Sequence, residues 1–240
     1  MFAYVVLEVR RTLRDGFFLI FGTGMPVMMY LLFTNIGGGD GADGWKTTSM
    51  VGIAAYGALS SAMSIGTGVA SDRTLGWLRQ LRVTPLAPSH AVVGRTISGS
   101  VTVLPTILTV LLAGGLVNGV RLDVWQWVAL TLLLWIGALP FTLLGLGNGY
   151  RLTPQGTGAV NMACLMGFAI VGGLWFPLEL LPGWLRSFGV FTPAHRFADL
   201  GWAVTEGHAP GAGTIAVLCA WLLLFGAYGV VSYRRSARTM

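Results

Sequence analysis

Apolar positions run along this chain in long blocks, and charged positions fall in short groups between them. A helix that crosses a bilayer needs roughly 20 mostly apolar residues. Six blocks of that length occur, at about 17–36, 47–70, 96–118, 124–149, 157–177 and 214–233. The pattern predicts an all-α integral membrane fold with six transmembrane helices. The stretches between the spans are too short for a separate soluble domain, so residues 1–240 read as one transmembrane domain. Ahead of the first span, Phe2, Val5, Val6, Val9 and Leu13 recur at helical spacing, with Glu8, Arg11 and Asp15 elsewhere on the circumference. That spacing predicts an interfacial helix on the inner leaflet. The apolar run after Arg10 and Arg11 is too long for a secretory signal, and five further spans follow.

Composition sharpens this picture. The 240 residues are 54% hydrophobic and 10% charged, so a soluble globule would lack a charged shell. The net charge of +6 would raise nucleic acid as a partner for a soluble chain. Here the basic residues sit between spans instead of along one face, which argues against nucleic acid and for a topology signal. With both termini in the cytoplasm, eleven of the 15 basic residues lie inside and four outside: Lys46, Arg121, Arg186 and Arg196. Six of the nine tryptophans (Trp45, Trp125, Trp127, Trp175, Trp184 and Trp202) then mark the outer ends, as an interfacial belt requires. Lys46 closes a glycine-rich outer loop, 37–46, that reads as a flexible linker. Fourteen arginines against one lysine suggest a GC-rich bacterial genome and hence a bacterial plasma membrane, crossed many times.

Chemistry is sparse within the spans. They hold almost no ionisable groups, no GxSxG and no paired carboxylates, so neither a proton relay nor intramembrane hydrolysis has visible machinery. His90, His195 and His208 lie in loops or at span ends without ligand spacing, and Cys164 and Cys219 form no pair motif, so no metal is expected. No GxxxxGK[ST] occurs, so the chain has no P-loop for ATP. Span two repeats Ala54, Ala58, Ala62, Gly66 and Ala70 every four residues, with Ser60, Ser64 and Gly68 as a second small row. Such rows let helices approach closely, either within one subunit or against a second protomer. Asn161, with Gln155 nearer the cytoplasmic end of span five, fits either a cavity or a bridge between helices.

Between spans two and three, residues 71–85 form a basic cytoplasmic segment that reads as a short helix, capped by Ser71 or Asp72 and stopped by Pro85. Leu75, Leu78 and Leu81 can touch apolar surface, and Arg73, Arg79 and Arg82 can reach an acidic partner or lipid phosphates. After span five, Pro177 and Pro182 interrupt the helix, Leu178, Leu181, Trp184, Leu185 and Phe188 can sink an apolar face, and Glu179 and Arg186 can stay near headgroups.

These two segments carry a resemblance. Asp72, Arg73, Gly76, Leu78, Leu81, Val83, Thr84 and Pro85 resemble the acidic-Arg-x-x-Gly-x-Leu-x-x-Leu-x-Val-Thr-Pro loop of ABC-2 type ABC transporter permeases, including drug exporters of the daunorubicin permease kind. The run from Gly172 through Pro177, Pro182, Trp184 and Leu185 to Thr192-Pro193 is similar to that family's second signature. The resemblance implies that residues 72–85 are the coupling segment that docks on the ATPase. It also implies a short extracellular re-entrant helical hairpin before the last span, carrying Pro177, Glu179, Pro182, Trp184 and Arg186. It implies a permease subunit of an exporter working as a dimer, most simply a homodimer, with two copies of a separate P-loop ATPase that hold ATP and Mg. The chain itself would bind no cofactor and perform no covalent chemistry. Thr74 and Arg79 depart from the more acidic family pattern, and a more basic surface asks for a more acidic partner.

Few charges in the spans favour an amphipathic drug or lipid as substrate, with Phe21, Met25, Met28, Tyr56, Asn161, Met162 and Met166 as candidate cavity linings; packing against lipid or helices is the alternative for each. A polysaccharide exporter of the same superfamily is a second reading. A membrane scaffold or sensor that recruits a cytoplasmic partner through residues 71–90 without transport is a third.

Overall fold

The computed structural model describes residues 22–36, 42–74, 96, 99–178 and 181–238. All regular structure among the described residues is helical: α1 (Met25–Ile36), α2 (Ala42–Thr74), α3 (Leu104–Leu116), α4 (Val124–Gly137), α5 (Leu139–Arg151), α6 (Pro154–Val171), α7 (Gly183–Gly189), α8 (Pro193–Thr205) and α9 (Ala212–Arg238). Among the described residues, four stretches are long and apolar enough to cross a bilayer: Gly44–Thr74, Gly99–Leu116, Val124–Arg151 and Ala212–Ser236. They coincide with four of the six predicted spans. The other two correspond to α1, whose described helix has 12 residues, and to α6, whose 18 residues are made less apolar by Gln155 and Asn161. The predicted interfacial helix at 2–15 lies outside the described residues.

The span Val124–Arg151 is two helices end to end. Pro140 sits in the first turn of α5, has no N–H to offer Ile136, and so breaks the ladder at Ala138. At its start, Gln126 accepts the Asp123 N–H at 2.9 Å and donates to the Val204 carbonyl at 2.8 Å, tying α4 to the end of α8.

Helix α2 is the hub. It packs against α1, α3, α5, α6 and α8, and 78% of its apolar window is buried, against 22% for the last span. Small side chains make this possible, because apolar attraction alone does not draw helices together in lipid and close backbone approach must do so. Ala54, Ala58, Ala62, Gly66 and Ala70 are all buried within the one chain, so this row is an intrasubunit surface. The second row behaves differently: Ser64 and Gly68 are exposed. Where α2 meets α5, a Cβ on Gly66 would lie 1.9 Å from the Gly145 carbonyl oxygen, and one on Gly149 would lie 2.2 Å from that of Gly66. The two helices therefore cross backbone to backbone, and only glycine fits. The outward faces carry Leu112, Leu116, Val128, Leu132, Ile136, Leu223 and Leu224, an apolar exterior suited to acyl chains.

Three boundaries differ from the sequence expectation. Helix α2 begins at Ala42, so the predicted linker 37–46 is already helical at Trp45 and Lys46. The same helix continues to Thr74, so Ser71 and Asp72 are not N-caps; Ser71 Oγ instead bonds back to the Thr67 carbonyl at 3.0 Å. Helix α6 ends at Val171, six residues before Pro177. Glycine and not proline is the breaker there: Gly173 takes φ +71°, and Leu174 N–H bonds the Ala169 carbonyl at 3.0 Å.

Candidate functional site

The basic groups between spans and the indoles at the opposite ends give the bundle an arginine end and a tryptophan end, and each has its own site. At the arginine end, α2 and α5 run in the same direction and finish side by side. Arg73 turns back into the bundle. Its Nη1 donates to the Gly149 carbonyl at 2.9 Å and to the Leu152 carbonyl at 3.4 Å. Helix ends leave carbonyls unpaired and carry partial negative charge, so a guanidinium here satisfies acceptors and complements the dipole of α5. Its Nε is buried with no hydrogen-bond partner among the described residues. Asp72 lies in the same last turn of α2. The other residues of the expected coupling segment, Gly76, Leu78, Leu81, Val83, Thr84 and Pro85, lie outside the described residues.

Inside the bundle, a polar chain crosses four helices. The Tyr228 hydroxyl donates to Asn148 Oδ1 at 2.8 Å, Asn148 Nδ2 donates to Asn161 Oδ1 at 2.9 Å, and Asn161 Nδ2 donates to the Met63 carbonyl at 2.8 Å. This pins α9, α5, α6 and α2 together, with both asparagines buried. Of the two roles open to Asn161, the bridge is the one it fills in this subunit.

The remaining cavity candidates do not converge within one subunit. Met25, Met28 and Met162 are each more than half exposed, Met166 is half-buried beside the core, and Phe21 lies outside the described residues. Tyr56 is buried, with its ring edge-on to Trp175 at 5.2 Å between centroids.

At the tryptophan end, the chain leaving α6 folds back against α2. The Leu174 carbonyl lies against Gly52, where a Cβ would come within 2.3 Å of it, and Trp175 reaches Tyr56. Pro177 follows; Glu179 lies outside the described residues. Pro182 starts α7, its carbonyl accepting from Leu185 and Arg186 N–H at 2.9 and 3.0 Å. Trp184, Phe188 and Phe191 face outward, each about two-thirds exposed. Helix α8 is amphipathic and buries Ala194, Phe197, Ala198, Leu200, Gly201 and Val204, with Phe197 against Phe141 and Gly201 against Val51 and Leu130. Thr192 caps it, accepting the His195 N–H at 3.3 Å. Arg196 meets Asp199 at 3.5 Å and donates to Thr214 Oγ1 at 3.3 Å, and Thr214 also bonds Asp199, which fastens α8 to the start of α9.

In the loop before α9, His208 Nε2 meets Glu206 Oε2 at 2.9 Å and Nδ1 faces the Ala209 carbonyl at 3.3 Å. The carboxylate, followed by the carbonyl, raises the imidazole pKa above its ordinary 6.5. Between α2, the 173–178 segment and α8 lies a cavity of about 250 Å³, lined by Trp45, Trp175, Trp202, His195, Asp199 and Glu206 among others.

Asn148 and the glycines beside it escaped the sequence reading although each left a signal. Asn148 is a polar residue inside an apolar span, and it stands in Gly145-Leu146-Gly147-Asn148-Gly149, a GxxxG element. The inward turn of Arg73 and the cavity leave none, because both depend on which helices become neighbours.

Residues 1–200 match the ABC-2 type transporter family model. The chain is also 29% identical over 224 residues to a Bacillus subtilis strain 168 protein described as "Putative transport permease YvfS", an alignment that covers 92% of this chain and 91% of that relative.

Proposed function

The chain belongs to the ABC-2 type transporter family, and on that footing we propose that it is the permease subunit of an ATP-driven exporter of an amphipathic drug or lipid-like molecule. Each subunit crosses the bacterial plasma membrane six times, with the arginine end and both termini in the cytoplasm. Residues 172–193 form the re-entrant hairpin on the outer side. Two such subunits enclose the substrate path between them, and two copies of a separate ATPase subunit hold ATP and Mg. This chain's part is mechanical and electrostatic.

The observation that carries the reading is the Arg73 clamp. It sits at the first positions of the coupling segment and grips the end of α5 through Gly149 and Leu152. A push on residues 72–85 by the closing ATPase pair therefore reaches α2 and α5 together. The glycine crossing and the asparagine chain pass it to α6 and α9. Packed elements of this kind shift between discrete arrangements instead of deforming smoothly, which suits alternating access. Met25, Met28 and Met162, exposed in the single subunit, offer soft apolar surface for an amphipathic substrate at the subunit interface.

The test is export of a fluorescent amphiphile by inverted vesicles holding this chain and its ATPase. Arg73→Ala and Gly76→Trp are each expected to cut transport at least several-fold with membrane insertion unchanged. Full transport in both variants would remove the coupling assignment.

A further inference from the structure

We propose that the cavity at the tryptophan end is a binding site for a small organic ammonium group with an oxygen acceptor beside it, formed within one subunit. The inference does not depend on the transport reading.

The walls are aromatic and held in place. The Trp202 indole N–H donates to the Thr48 carbonyl at 3.1 Å, and that of Trp45 to the Phe33 carbonyl at 3.3 Å, so both rings are fixed from behind. Trp175 is set edge-on to Tyr56 at 5.2 Å. The His195 ring lies tilted beside Trp202 at 5.6 Å between centroids and is itself anchored to the Gly172 carbonyl at 3.2 Å. Prearranged indole faces attract a cation through the ring quadrupole, most strongly where water is partly excluded.

Charge selects the sign of the ligand. Among the described residues, the lining includes two carboxylates, Asp199 and Glu206, and no lysine or arginine. Asp199 is held by Arg196 and Thr214, and the more exposed Glu206 forms the anionic lip. Its side chain is 68% exposed and pairs with His208 at 2.9 Å, a solvent-open contact that a ligand cation can compete for.

Two orphaned polar atoms give the second half of the argument. Ser49 lines the cavity at 7% exposure, and its Oγ has no hydrogen-bond partner among the described residues. Trp175 Nε1, on the same lining, is likewise buried and unpaired among them. A buried polar group without a partner is costly, and such groups point to a ligand or ordered water. An indole N–H can only donate, so the ligand must present an acceptor as well as a cation. At about 250 Å³ the space is below the roughly 300–1,000 Å³ of drug-sized pockets, which suits a headgroup rather than a whole drug.

The full chain in maltoside micelles, which carry no ammonium group, would be titrated with acetylcholine and with its uncharged carbon isostere, 3,3-dimethylbutyl acetate, reading tryptophan fluorescence and heat. Acetylcholine is expected to bind about tenfold or more tightly than the isostere. Glu206→Gln should weaken it several-fold while the protein stays folded, because that side chain is exposed. Trp202→Leu should weaken it further and shrink the fluorescence response. Equal affinity for the isostere, absence of saturable binding, or full affinity in Glu206→Gln together with Trp202→Leu would each overturn the proposal. Repeating the titration in phosphatidylglycerol and phosphatidylethanolamine nanodiscs identifies the source. Binding lost only in phosphatidylethanolamine assigns the site to a lipid headgroup, and binding kept in both assigns it to a free ligand.

Discussion

Replacing Gly66 with alanine tests the packing that joins the arginine end to the bundle. The new Cβ would stand 1.9 Å from the Gly145 carbonyl oxygen, where real Cβ atoms keep at least 3.0 Å. Because the obstacle is backbone, no rotamer change relieves it, and α2 and α5 must part by about 1 Å. A gap of that size forfeits a quarter to a half of the dispersion energy across the contact. It also strains a bond that spans the same crossing, Arg73 to Gly149 at 2.9 Å. Bonds of this type in membranes are worth on average about 0.6 kcal/mol. The combined loss comes to about 2–4 kcal/mol, at the upper end of what single substitutions do. Gly167→Ala is the matched control, since a Cβ there meets nothing within 4 Å. Reversible unfolding in mixed micelles would measure both. A Gly66→Ala protein within about 0.5 kcal/mol of the Gly167→Ala protein would refute the crossing as described.

Further expectations follow from other parts of the structure. In a double-mutant cycle, Asn148→Leu and Asn161→Leu should couple by about 0.6 kcal/mol and at most about 1.7, read by the same unfolding assay; strict additivity would contradict the bond between them. Gly173→Ala should cost about 1–2 kcal/mol, because its φ of +71° is unfavourable for an L side chain and Leu178 leaves little room. A thermal midpoint equal to that of the parent protein would count against that turn. His208 should titrate above 6.5 by nuclear magnetic resonance and fall back toward it in Glu206→Gln. Its raised pKa means that the pairing contributes fully below pH about 6.5 and fades as pH rises through the folded value.

Much of the architecture is legible in the one-dimensional pattern because the bilayer imposes it. Spans of about 20 apolar residues and tryptophan at one set of ends are local signals, and the blocks at 47–70, 96–118, 124–149 and 214–233 appear close to where they were expected. Helix ends were less legible. Pro177 is conspicuous, yet Gly173 ends α6, because a glycine in the left-handed region closes a helix before a later proline can act. The small-residue row of α2 was visible, but its partner was not. Only the folded chain pairs Gly66 with Gly145 and Gly149, which turns that row into an internal seam. Arg73 shows the same limit at the candidate site. A basic residue beside a membrane suggests phosphates or an acidic partner, whereas here carbonyls brought by a helix 76 residues away along the chain take its guanidinium. The Trp45, Trp175 and Trp202 indoles were legible as an interfacial belt; that they share a cavity with Ser49, Asp199 and Glu206 follows from the fold-back at Gly172–Gly173.

The central claim is that residues 72–85 link this chain to a separate ATPase. The direct measurement is purification of the tagged chain from its native membrane in mild detergent, with stoichiometric partners identified by mass spectrometry. The account predicts a P-loop ATPase that is recovered with the parent chain and lost when residues 72–85 are scrambled in a chain that still inserts. Recovery of the chain without any ATPase, under conditions in which a control transporter keeps its own, would contradict the account and favour a scaffold.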